Sequence, residues 1–289
     1  MTRPALAELE LRCQKPDHRR IGNWMARRVA RPLALRVTWL LLPMGLSAHA
    51  ATLIAWLTGL CAAAAFAWGD TWGWLAGALL LQAWYVLDHV DGQLARYHGT
   101  ASLDGVQLDY LMHHSLNLLV PIGVGSGLAI AAIDPLWAVC GLAWGVASLV
   151  IGLVHDARYK AFIQRLKRVH GELIVLGGSG ARPQPQPALP RHPLKLTARL
   201  ARKSCEMHVT MNTLLFVALL RFLWPEHALH AGLIYTAGMT IVSLILAAAL
   251  ILRSLRHEQA EQEFARWFRP PADHDLVFHD GWWIVEPRE

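Results

Sequence analysis

Between Asp88 and His114 the chain reads DHVDGQLARYHGTASLDGVQLDYLMHH, placing Asp88, Asp91, Asp104 and Asp109 close to His113. Asp88 and Asp91 are three residues apart, and Asp109 and His113 four apart. On helices each pair would share one face. Arg96 is the one guanidinium in the stretch, which has no lysine. Acids gathered with too few bases to balance them bind cations, and mainly oxygen donors suit Mg²⁺ or Mn²⁺. Gly92, Ala95 and Gly105 lie within a helical turn of these acids, and small side chains there let a bulky ligand or a neighbouring helix reach the backbone. Asp104, after Ser102, is expected to cap the helix that starts there rather than to bind metal. His113 adds a nitrogen that can accept a proton near neutral pH or ligate a cation. His114 points about 100° away around the helix and is expected to pack.

These residues must be positioned by membrane helices. A span needs roughly 20 mostly apolar residues. Six stretches qualify, at 50–69, 71–95, 104–133, 136–154, 207–224 and 228–252, and the acidic stretch joins the second to the third. The turns at Asp70 and Asp134 are too short for anything but antiparallel neighbours. Lys and Arg are concentrated in the N-terminal arm, the Arg96 loop, the 156–205 connection and the tail, whereas the links near Asp70, Asp134 and Glu226 have none. The excess of basic residues on cytoplasmic loops therefore predicts that both termini and the acidic junction are cytoplasmic.

The predicted fold is an all-α polytopic membrane protein with six transmembrane helices and an N-terminal interfacial amphipathic helix. Residues 1–43 are the arm and that helix, in which Trp24, Val29, Leu33 and Leu40 alternate with Arg27, Arg28, Arg31 and Arg36, a pattern that lies on anionic lipid. Residues 44–255 are the six-span domain with a basic, Pro/Gln-rich insert at 156–205. The aromatic, proline-broken tail at 256–289 is expected to pack on the surface.

Composition excludes an ordinary soluble domain. Of 289 residues, 54% are hydrophobic and 17% charged, against about a quarter charged in soluble proteins. The 13 tryptophans suit two membrane interfaces. Cys13, Cys61, Cys140 and Cys205 have no metal-site spacing. The N-terminus is too charged for a signal peptide, so the chain is expected to insert through its own spans. Basic clusters flank spans, so no nucleic-acid partner is expected.

The pattern D-x-x-D-G-x-x-A-R, eight residues, then G-x-x-x-D falls on Asp88, Asp91, Gly92, Ala95, Arg96, Gly105 and Asp109. It resembles the signature of the CDP-alcohol phosphatidyltransferase family, and the likeness extends over roughly residues 20–255. The resemblance implies an enzyme of phospholipid biosynthesis that moves a phospho-alcohol, by default phosphatidyl from CDP-diacylglycerol, onto an acceptor hydroxyl and releases CMP. It implies two divalent cations, Mg²⁺ or Mn²⁺, held by Asp88, Asp91 and Asp109. Asp88, Gly92, Ala95, Arg96 and Gly105 would then face the nucleotide and its phosphates. Arg158 and Lys160 are candidates for an acceptor's phosphate, although a topology-setting flank would look the same. Membrane lipids and a second copy of the chain are the implied partners, and a bacterial cytoplasmic membrane the implied location.

The family pattern continues with a fourth aspartate, assigned as general base, where this chain has His113. Three readings stay open: His113 is the base, His113 is a nitrogen ligand favouring Mn²⁺, or the chain is an inactive nucleotide-binding scaffold. A transporter would also bury acids, but near the bilayer midplane and on broken helices. The acceptor alcohol is not legible.

Overall fold

The computed structural model describes residues 3–15, 17–176 and 192–288. Most of the Pro/Gln-rich part of the insert lies outside them. The chain divides into two compact units, one of residues 1–149 with 192–244, the other of 150–191 with 245–289.

In the first unit short polar residues start the helices that carry the site. The Ser47 hydroxyl accepts the Ala50 N–H at 3.1 Å and opens α3 (Ala48–Ala67). Asp70 accepts the Gly73 N–H at 2.6 Å and opens α4 (Thr71–His98), which ends at a left-handed Gly99. Ser102 accepts the Gly105 N–H at 3.1 Å and opens α5 (Leu103–Ala132). The expected cap at Asp104 is thus corrected. Ser102 holds the N-cap position, and Asp104 lies in the first turn, where its charge meets the positive end of the helix dipole.

Helix α3 packs on both α4 and α5. A Cβ at Gly123 would sit 2.2 Å from the Ala63 carbonyl oxygen, and one at Gly127 2.0 Å from that of Phe66. Only glycine permits this approach, which in lipid replaces the hydrophobic effect as the source of helix association. Phe66 and Trp74 meet edge to face at 5.5 Å in the core beneath.

Among the described residues four helices are long and apolar enough to cross a membrane: α3, α5, α6 (Leu136–Leu166) and α9 (Pro225–Arg256). A fifth is obtained if α7 (Pro193–Ser204) and α8 (Met207–Leu223), bent by 73°, count as one span. The six expected spans therefore reduce to four or five on this criterion. The expected span at 71–95 is α4, whose Gln82, Asp88, Asp91, Gln93 and Arg96 lower its hydropathy. It packs against α2 (Arg31–Leu41), α3 and α8, so much of its surface never has to suit lipid. Arg221, near the expected outer end of α8, is buried and donates to the Gly69 carbonyl at 3.1 Å.

The N-terminal arm is more ordered than its composition predicts. Helix α1 (Leu6–Cys13) packs on α2 and α4 with Leu9 and Cys13 fully buried. A π-helical stretch, Ala26–Ala30, runs directly into α2. Ala26, Ala30, Ala34 and Thr38 form a small-residue face that is buried, while Trp24, Leu33 and Leu40 are exposed on the other side, as an interfacial helix requires.

The second unit corrects the all-helical expectation. It contains a three-stranded sheet in which β4 (His274–His279) and β5 (Trp282–Pro287) form a hairpin and β1 (Val169–His170) pairs parallel to β5. Asp280 and Gly281, both at positive φ, make its turn, as Asp-Gly favours. Strand β2 (Ile174–Val175) pairs antiparallel with β3 (Phe268–Arg269). The connection and the tail, expected as separate pieces, thus share backbone hydrogen bonds. Helix α10 (Gln259–Trp267) adds Phe264, which packs on Phe162 at 5.5 Å.

Candidate functional site

The C-terminal end of α4 and the N-terminal end of α5 border a cavity of about 350 Å³ in the first unit. The charged cluster is part of its lining. His113 Nε2 lies 3.0 Å from Asp88 Oδ1 and 3.4 Å from Asp109 Oδ1. One ligand atom from each of the three groups lies within 4.8 Å of the others, close enough to hold one metal ion. Helix periodicity accounts for this: Asp109 and His113 are one turn apart on α5, and Asp88 reaches them from α4. The His113 ring is held edge-on against Trp84 at 5.5 Å.

Asp91 lines the same cavity but is held differently. Its Oδ2 accepts the Thr52 hydroxyl at 2.7 Å, and its Oδ1 accepts the N–H of Gly92. A buried carboxylate needs such partners, and Thr52 fixes the rotamer that presents it. His89 supports Asp88 from the side, with Nδ1 3.6 Å from Asp88 Oδ2 and 2.9 Å from the Tyr85 carbonyl.

The chemistry of the set fits a divalent cation. Two carboxylates and one imidazole converge, and no lysine or arginine lies within 4.0 Å of Asp88 or Asp109 among the described residues. Arg96, the base that could have neutralised them, has its Nε donated to the Cys13 carbonyl. Such a site suits a borderline metal such as Mn²⁺, which accepts nitrogen beside oxygen, at least as well as Mg²⁺.

Of the other sequence-predicted positions, Gly92, Ala95, Arg96 and Gly105 all line the cavity. A Cβ at Gly92 would press to 3.2 Å of an Arg96 guanidinium nitrogen, so the glycine leaves room for that side chain. Arg158 and Lys160 belong to the second unit. Arg158 is paired there with Glu263 at 2.8 Å. His114 stacks on Tyr110, as expected of a packing residue.

Sequence reasoning missed Thr52 and His49 from α3, Arg31 from α2, and Gln14 and Lys15 beyond α1, all cavity-lining. Thr52 is 39 residues from the carboxylate it serves, and no local spacing announces such a partner. The Leu9/Cys13 spacing of one turn was the available signal that α1 would pack.

Residues 41–170 match the model of the CDP-alcohol phosphatidyltransferase family. Among curated proteins no relative of the sequence is found. The fold is similar to that of phosphatidylinositol phosphate synthase from Mycobacterium tuberculosis. Its CDP-DAG-bound crystal structure is 20% identical, with a TM-score of 0.50, covering 87% of this chain and 100% of that one. Its complex with manganese and citrate is 19% identical, with a TM-score of 0.51, covering 78% and 91%.

Proposed function

We propose that the chain is a membrane transferase of phospholipid biosynthesis that moves a phosphatidyl group from CDP-diacylglycerol to an acceptor hydroxyl and releases CMP, a reading supported by the match of residues 41–170 to the CDP-alcohol phosphatidyltransferase family model. The observation that carries this reading is the convergence of Asp88, Asp109 and His113 in a cavity whose lining includes Gly92, Ala95 and Gly105. The CDP-DAG complex of the similar synthase supports the donor, and its manganese complex supports the cation.

Asp88, Asp91 and Asp109, with His113 beside them, would hold two divalent cations, Mg²⁺ or Mn²⁺. Bound there, the ions supply charge for the pyrophosphate and the departing CMP. The chain's own part is positioning. Gly92, Ala95 and Gly105 leave space for the cytidine nucleotide. Arg96 has one N–H engaged with Cys13, and a guanidinium carries five, so the rest can meet phosphate oxygens. His113 accepts the acceptor's proton as its hydroxyl attacks phosphorus. A second role, nitrogen ligand, is favoured by the 4.8 Å grouping itself. Arg158 and Lys160 remain candidates for an acceptor's phosphate, for which Arg158 would have to release Glu263.

The reading predicts that, with Mn²⁺ and CDP-diacylglycerol, one of a panel of alcohols (inositol phosphate, glycerol phosphate, serine, inositol) gives a new phospholipid in step with CMP. CMP release without a lipid product, or no release with any alcohol, contradicts it.

We also propose that α4 and α8 cross the membrane with the other four, that both termini and the 156–205 connection are cytoplasmic, in a bacterial plasma membrane, and that the chain forms a homodimer, which light scattering in detergent would read. In sealed cells an impermeant thiol reagent should label a cysteine placed at Asp134 and spare one placed in the connection. The reverse pattern overturns the orientation.

A further inference from the structure

Gln14, Lys15 and Arg31 of the N-terminal segment line the cavity and lie outside the residues that match the family model. Leu9 and Cys13 of α1 are fully buried in a cluster with Ala34, Val90 and Leu94. Trp39 donates its indole N–H to the Pro4 carbonyl at 2.9 Å, and the Arg3 guanidinium lies 4.5 Å from the Trp39 ring centre. Glu10 receives His18 at 3.0 Å and Arg19 at 2.8 Å, which ties the segment after α1 back onto it. These contacts fix the segment as part of the packed unit.

Both arginines that line the cavity are held by this segment's main chain. Arg96 Nε donates to the Cys13 carbonyl, and Arg31 Nη1 donates to the His18 carbonyl and, at 2.7 Å, to that of Ile21. A guanidinium with one edge fixed keeps its remaining N–H groups pre-oriented and loses less freedom on meeting an anion. Lys15, two residues beyond Cys13, lines the same cavity, is exposed, and pairs with no carboxylate among the described residues. The cavity lining thus combines acids suited to cations with three cationic side chains, Lys15, Arg31 and Arg96. A diphosphate, which can meet cations held by the acids and these side chains at once, matches that mixture of charge.

We propose that the N-terminal segment is a wall of the donor site and places the Lys15 ammonium on a phosphate of a nucleoside-diphosphate-linked donor. The inference rests on the donor assignment made above. Its test is calorimetric titration of the detergent-solubilised full chain with CDP in Mn²⁺, alongside the KM for CDP-diacylglycerol. Lys15→Ala should weaken CDP binding and raise KM about tenfold, as expected for one lost charge-assisted contact, with kcat within about twofold because the contact is made equally before and during reaction. Lys15→Arg should restore both. Because Lys15 is exposed, the alanine variant is not expected to disturb folding. Unchanged CDP affinity in Lys15→Ala, with a wild-type protein that binds CDP and turns over, overturns the inference and leaves the transferase reading intact. A wild-type protein that neither binds CDP nor releases CMP removes that reading and the inference with it.

Discussion

Asp88→Asn is expected to lower CMP release by about a thousandfold, roughly 4 kcal/mol of transition-state stabilisation, the scale of a lost metal contact at a developing charge. Asp88 is the carboxylate that links the two helices. It is 13% exposed, meets His113 at 3.0 Å and is flanked by His89. Asparagine keeps the volume and removes the charge, so the loss would report electrostatics rather than packing. Asp104→Asn, whose carboxylate lies in the first turn of α5, should change turnover by less than about twofold, since such a dipole contact contributes no more than about 1 kcal/mol and acts on stability. Comparable losses in both variants, with melting temperatures unchanged, would show that the cluster is not the reaction centre.

His113→Ala should reduce turnover by about 10²–10³-fold, within the range of a lost general base, while CDP affinity stays near wild type because the base acts mainly in the transition state. His113→Asp should keep activity, since it supplies an acceptor at the same place. The ligand role gives a different pattern: the alanine variant would need more Mn²⁺ for half-maximal rate, and excess Mn²⁺ would restore part of the turnover. An alanine variant with wild-type rate and metal response would reduce His113 to its packing against Trp84.

The carboxylate–imidazole cluster was legible because its grouping is mostly local. Spacings of three and four residues on helices fix which side chains share a face, and Asp109 with His113 follows that rule directly. The spans at α3, α5, α6 and α9 were equally readable from apolar length. Helix α4 was read as a span on the same ground but is not among the helices apolar enough to cross. Its polar residues lower its hydropathy, and only tertiary burial against α2, α3 and α8 explains why they are tolerated. The cap at Ser102 was one residue-type choice away, since hydroxyl and carboxylate compete for the same position and register decides between them. The pairing of Val169–His170 with a tail strand more than a hundred residues later could not be read, because two-residue strands carry no period. The docking of α1 and the carbonyl contacts to Arg31 and Arg96 were hidden for a related reason: main-chain acceptors have no residue type to recognise.

The central claim, that Asp88, Asp91, Asp109 and His113 hold divalent cations on which transfer depends, is tested most directly by CMP release from CDP-diacylglycerol before and after exhaustive chelation. With the cations removed, the clustered carboxylates repel a pyrophosphate, against the pull of Lys15, Arg31 and Arg96 in the lining. Release should fall to background and return on adding Mn²⁺ or Mg²⁺ alone. Turnover that survives complete chelation would contradict the claim.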